Sequence, residues 1–200
     1  MKRFLTLAMV FLLLTALLAP AGYAAVEPLT PSEEVVELIK RLEGFREYAY
    51  QHNGKWYIGY GSACEETTYP NGVTEAEAEA MLRDRLETSA GIVNGFLLKY
   101  NVTLEQHQFD ALCSFTYNLG SQWIDPDNRL CAYLIRGVRH YSQDELVSAI
   151  ATWCYINGAP HPGIINRRMA EACLFVTGSY TDTFAGQYVY LRHDAAGGDV

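Results

Sequence analysis

Glu43, His52 and Tyr57 are the side chains whose types and spacing could move protons, and all three fall in one stretch, EGFREYAYQHNGKWYIGYG, from Glu43 to Gly61. Glu43 stands where an apolar helical pattern ends. Val35, Leu38, Ile39 and Leu42 recur at helical spacing, and Gly44 is a natural stop. A carboxylate on a last helical turn meets the negative end of the helix dipole, and an apolar cleft would add a desolvation cost. Both effects favour the protonated form and predict a proton donor usable near neutral pH. General acid and base cleavage of a glycosidic bond usually employs two carboxylates, and only one sits at this position. Glu65 and Glu66, a few residues on, are the nearby acids that would supply a second; exposure is the norm for Glu, so the expectation for them is a solvated loop.

The elements that must hold these residues are readable from local signals. Tyr48 and Tyr50 precede His52-Asn53-Gly54, and Trp56, Tyr57 and Ile58 follow, which predicts two aromatic-rich strands joined by an Asn-Gly turn. Gly59 and Gly61 bracket Tyr60 and permit close backbone approach or a positive φ as the chain leaves the sheet. Thr30 with Glu33, Thr74 with Glu77, Thr103 with Gln106, and Ser142 with Glu145 have capping-box spacing, and Pro31 suits a first helical position. A helix from about Thr74 toward Tyr100 connects two lobes. Another carries Phe109, Leu112, Cys113 and Phe115 and exits through Asn118-Leu119-Gly120; further helices are expected over about 128–136, 143–154 and 164–176.

Two hundred residues, half of them apolar, favour one domain with one sizeable core. Lys2 and Arg3, the apolar run Phe4 to Leu18 and the exit Gly22-Tyr23-Ala24 have the order of a secretory signal. The run is shorter than the roughly twenty residues of a bilayer span. Cleavage after Ala24, with no stable membrane insertion afterwards, is therefore the expectation. Loss of Lys2 and Arg3 takes the formal charge from −8 to −10. That acidity, with no basic run longer than Arg167-Arg168, argues against nucleic acid as a partner. One of those two arginines is expected to brace a core acid and the other to be solvated. Cys64, Cys113, Cys131, Cys154 and Cys173 all lie in the exported part, where bridging and burial as small apolar groups both remain open. His52 and His161 have no metal-ligand spacing, and no cofactor or metal is expected.

Four segments resemble the phage-type lysozymes and endolysins of glycoside hydrolase family 24. They are EGFREYAY with YIGYG, GVTEAEAEAMLRDRL, QFDALCSFTYNLG and GIINRRMAEACLF, spanning about Pro31 to Phe175. The resemblance implies an α+β, predominantly helical, bilobal fold, with a glycan strand of peptidoglycan lying between a small hairpin lobe and a helical lobe. It implies cleavage of the β-1,4 bond between N-acetylmuramic acid and N-acetylglucosamine by a monomer that is secreted, periplasmic or associated with the cell wall. With the signal order above, the expected division of the chain is a signal peptide at 1–24, a lysozyme-like domain at 25–176 and an extension at 177–200. Glu43 matches the family's proton donor, and Tyr60, Tyr117 and Asn118 fall in segments that resemble its substrate-facing motifs. Where the family has Asp or Cys this chain has His52, and Tyr57 stands where the family has Thr. Three routes are then open. Neutral His52, with an ordinary imidazole pKa of about 6.5, activates water; or Glu43 works alone as a lytic transglycosylase; or the cleft binds glycan, or inhibits another protein, without cleaving.

Overall fold

The computed structural model describes residues 28–156 and 158–181. The expected signal segment at 1–24 and the extension beyond residue 181 lie outside the described residues. The first helix, α1 (Glu33–Glu43), buries Val35, Val36, Leu38 and Ile39 along one stripe and stops at Gly44, whose φ is 70°. Its N-cap is Ser32, whose Oγ accepts from the Val35 N–H at 3.2 Å, so the expected Thr30 box and the helical start at Pro31 give way to a cap two residues on. Ser32 wins because it has a second partner: its hydroxyl donates to the buried Asp110 at 2.6 Å.

Strands β1 (Arg46–His52), β2 (Lys55–Gly59) and β3 (Ser62–Cys64) form an antiparallel sheet in that order. Asn53 and Gly54 take φ of 50° and 75°, the consecutive left-handed pair of a two-residue turn, and His52 pairs with Lys55 across it. Gly59, at φ 62°, lies so close to the next helix that a Cβ would stand 2.7 Å from that of Ala78. A glycine there lets the sheet sit directly on the helix.

That helix is α2 (Glu75–Tyr100), opened by the Thr74 and Glu77 capping box as expected. The next, α3 (Gln106–Leu119), is buried at every position from Phe109 to Tyr117, as a helix at the centre of a core must be. Its cap is Glu105 with Gln108, not Thr103 with Gln106; the Gln106 side chain instead ties Thr30 and Asp110 together. Helix α4 (Arg129–Arg136), a 3₁₀ turn at Val138–His140 and α5 (Gln143–Ala151) follow. The chain then leaves the helix three residues before the expected end and forms a short ribbon, β4 (Tyr155–Ile156) with β5 (Ala159–Pro160), that no periodicity announced.

Helix α6 (Pro162–Thr177) packs against α3 and α5, and α3 also packs on α2. Trp123, Phe109, Phe115 and Phe175 are among the largest buried side chains between them. The result is the expected α+β architecture, helical in the main, with the sheet at one side. All five cysteines are free; four are buried and Cys64 is half-buried. Burial, with the nearby Asp110 carboxylate, pushes the Cys113 thiol well above its usual range, so it behaves as a small core group. Past α6, Tyr180 returns to the domain: its hydroxyl donates to Asp110 at 2.6 Å and its carbonyl accepts from Arg41.

Candidate active site

The end of α1 carries Glu43 into a groove between the sheet and the helices, where its side chain is 22% exposed. Oε1 accepts from Nη1 of Arg167 at 2.5 Å. Arg167 belongs to α6 and is itself buried; its Nε donates to Glu171 at 3.0 Å and its Nη2 to the Ser114 carbonyl at 3.2 Å. Arg168 is fully buried too, donating through Nη2 to Glu171 and to the Asn118 amide oxygen, both at 3.1 Å. Its Nε stands 2.8 Å from the second Glu171 oxygen, an ion pair that lacks hydrogen-bond alignment. The expectation of one solvated arginine is thus corrected. Both lie on the face of α6 turned toward α3, and two buried guanidiniums meet two carboxylates, Glu171 and Glu43. Glu43 is the one member of this set that reaches the groove. The helix end and an apolar cleft were the two influences expected on Glu43, and this cation is a third.

The other carboxylate oxygen, Oε2, lies against Gly61, where a Cβ would come within 3.2 Å of it. Gly61 has φ of 76°, so the chain turns tightly here and leaves that oxygen unobstructed by a side chain.

The groove has a volume of about 600 Å³. It gathers Glu43, His52, Tyr57, Tyr117 and Asn118 from the residues singled out in the sequence, and adds Tyr50, Asn53, Gly61, Arg85, His161 and Ile164. His52 is exposed at the end of β1, where Asn53 Nδ2 stands 3.1 Å from its Nε2. Tyr57 sits opposite Tyr50 in the sheet, ring centroids 6.0 Å apart. Burial, then the charge of Glu43, raises Tyr50 above the ordinary phenol range. Tyr117 is pushed to about 12 by burial, with Arg85 opposing and Glu43 adding. Its hydroxyl donates to the Tyr60 carbonyl at 2.9 Å and accepts from Arg85 Nη1 at 3.0 Å.

Tyr60 itself does not join the groove. The left-handed glycines on either side turn it toward the first turn of α2, where it is 2% exposed and donates to Glu75 at 2.7 Å. Burial and that bond push it to about 12. Glu65 and Glu66 are exposed and stay out of the groove. Among the described residues, its wall carries one carboxylate and two imidazoles, His52 and His161. Arg85 and Arg167 reach the site from helices 24 and 124 residues away from their partners Gly61 and Glu43, a separation at which no local pattern operates.

Known proteins resemble this chain in sequence and in fold. The phage lysozyme family model matches residues 40–171, from just before Glu43 to Glu171. The endolysin of Acyrthosiphon pisum secondary endosymbiont phage 1 is 34% identical over 147 residues, covering 72% of this chain and 96% of that protein. The endolysin of Bacillus phage B103 is 35% identical over 74% of this chain, but the chain spans only 54% of that relative. Among solved structures, the muramidase domain of SpmX from Asticaccaulis excentricus has a TM-score of 0.62 at 33% identity, covering 74% of this chain and 98% of that one. The endolysin from Escherichia coli O157:H7 phage FAHEc1 has a TM-score of 0.64 at 26% identity, covering 76% and 97%. With the matched stretch holding the acid, the hairpin and the α6 network that fixes the acid, the chain belongs to the phage lysozyme family.

Proposed function

We propose that residues 25–176, released from the signal peptide at 1–24, act as a secreted or cell-wall-associated monomeric muramidase that cuts the β-1,4 bond between N-acetylmuramic acid and N-acetylglucosamine. Membership of the phage lysozyme family, with endolysin and muramidase relatives, supports a peptidoglycan lysozyme in general. The finer reading rests on one observation: Glu43 is clamped through Oε1 by Arg167 while Oε2 lies against a bare glycine in the groove.

In this reading Glu43 gives its proton to the bridging oxygen as the bond from C1 breaks and the leaving sugar keeps the electron pair. The carboxylate left behind is received by Arg167, which stabilises the charge that donation creates. Neutral His52 takes a proton from the attacking water as its oxygen bonds to C1, and Tyr57, opposite Tyr50, lines the same groove from the next strand. His52 offers no negative charge to an oxocarbenium-like centre, so its contribution is proton transfer alone. Tyr117, with Arg85 beneath it, and Asn118 line the helical side and supply hydrogen-bonding surface for the glycan.

The test is a digest of purified peptidoglycan by the chain from residue 25, with released muropeptides read by mass. Hydrolysis yields products with a reducing end. Anhydro-muramyl products would reassign the site to Glu43 acting alone, and no products with sedimentation on the wall would make the chain a glycan-binding protein.

A further inference from the structure

Five cations of the described chain are not exposed: Lys40, Arg83, Arg85, Arg167 and Arg168. Four of them rest on carboxylates, Lys40 on Glu79, Arg83 on Glu33 and Glu79, Arg167 on Glu43 and Glu171, and Arg168 on Glu171. Arg85 is the exception. Its partners are neutral: Nη1 donates to the Gly61 carbonyl at 2.6 Å and to the Tyr117 hydroxyl at 3.0 Å, and Nη2 to the Tyr117 carbonyl at 3.3 Å. The guanidinium also stacks on the Tyr117 ring at 4.0 Å. A guanidinium has five N–H groups, and these contacts consume three. The two that remain, one on Nε and one on Nη2, are left to donate to an acceptor in the groove, and a carboxylate is the strongest partner a guanidinium takes.

We propose that Arg85 is a specificity residue of the groove that receives a carboxylate of the substrate, an inference that rests on the peptidoglycan reading above. Arg85 lies in the groove wall. The Cβ position of Gly61 is 3.2 Å from Glu43 Oε2 and 4.0 Å from Arg85 Nη1, so cation and proton donor flank the same glycine. A carboxylate held by Arg85 therefore belongs to a sugar at the scissile bond or to a group attached to it. Peptidoglycan offers two sources: the lactyl carboxylate of a muramic residue stripped of its peptide, and the carboxylates of an attached stem peptide. In a chain of formal charge −8 this fixed cation also gives an anionic strand a local reason to enter. The contacts to Gly61 and Tyr117 hold the guanidinium over the ring and limit the entropy lost on binding.

The experiment is calorimetric titration of the Glu43→Gln chain, which holds glycan without turnover, with three strand preparations. These are peptide-free strands with free lactyl carboxylates, the same strands with those groups converted to carboxamides, and strands that keep their peptides. The expected result is binding about tenfold tighter to a carboxylate strand than to the carboxamide strand, the scale of one charge-assisted pair. Preference for the peptide-free acid identifies the lactyl group; preference confined to peptide-bearing strands identifies the peptide. Adding Arg85→Gln should erase the preference, and Arg85→Lys should retain part of it. Equal binding of acid and carboxamide strands by the Glu43→Gln chain overturns the proposal even where an Arg85 variant fails to fold, and so does no binding to any strand. Discrimination by a chain whose parent cleaves nothing would overturn the muramidase reading alone.

Discussion

On the helical wall of the groove each charged group of α6 is met by another: Arg167 spans Glu43 and Glu171, and Arg168 lies against Glu171 with no solvent exposure. On the hairpin wall His52 is exposed at the edge of a two-residue turn and is held by one contact from its neighbour Asn53. The difference teaches which part of the chemistry needs fixing. A proton donor must meet one oxygen of the substrate, and a buried ionic set can hold it only if every member is present, because removing one strands another without a partner. A group that handles water can sit on a solvated turn, where substitutions cost little. His52 and Tyr57 stand on this side of the groove.

Breaking the helical wall should have the largest effect. Glu171→Ala leaves Arg167 with Glu43 as its one carboxylate and Arg168 with none, and the expected loss is about 3–5 kcal/mol of stability, read from urea unfolding; a loss below about 1 kcal/mol would mean that the network does not constrain the fold. The hairpin wall should answer in the opposite way. His52→Ala should leave stability within about 0.5 kcal/mol and lower the cleavage rate by on the order of a hundredfold. Restoration of the rate by His52→Asp would support a base at this position.

A matched pair of glycines sharpens the contrast. Gly54 and Gly61 have nearly equal φ, 75° and 76°, but only at Gly61 would a Cβ meet Glu43. Both Ala variants therefore carry a similar backbone cost, of about 1 kcal/mol. Gly61→Ala alone should slow turnover, by about tenfold, and equal rates for the two would remove Gly61 from the account. The smallest effect is alkaline. Tyr60, Tyr117 and Tyr180 are each pushed to about 12, by burial first. The folded chain thus keeps protons that the unfolded chain releases above the ordinary phenol pKa of about 10. Their contribution is complete below about pH 10 and is lost as pH rises toward 12. Arg168, lowered to about 10 by burial, works against this. Absorbance of tyrosinate should show a late-titrating set that merges with the rest on denaturation.

Much of the scaffold was legible because adjacent residues encode it. Gly44 ends α1, Asn53-Gly54 makes the turn, and Thr74 and Ser142 open their helices with complete capping boxes. Two other caps lay two residues from the expected threonines, because Ser32 and Glu105 had better partners, one of them the distant Asp110. Glu43, His52, Tyr57, Tyr117 and Asn118 were found by motif and converge on one groove. Arg85 as a groove residue and Arg167 as the clamp on Glu43 carry no local signal, since each acquires its role from a residue far along the chain. Tyr60 falls in a segment that resembles the family's substrate-facing motifs, but two left-handed glycines turn it away from the groove.

The central claim is that Glu43, anchored on Arg167, is the proton donor. Its most direct test is the initial rate at which the chain from residue 25 and its Glu43→Gln variant solubilise dye-labelled peptidoglycan, with both shown to be folded by the same thermal melt. The account predicts a loss of at least about a thousandfold in the variant. Equal rates for the two would contradict it and move the chemistry to another residue of the groove.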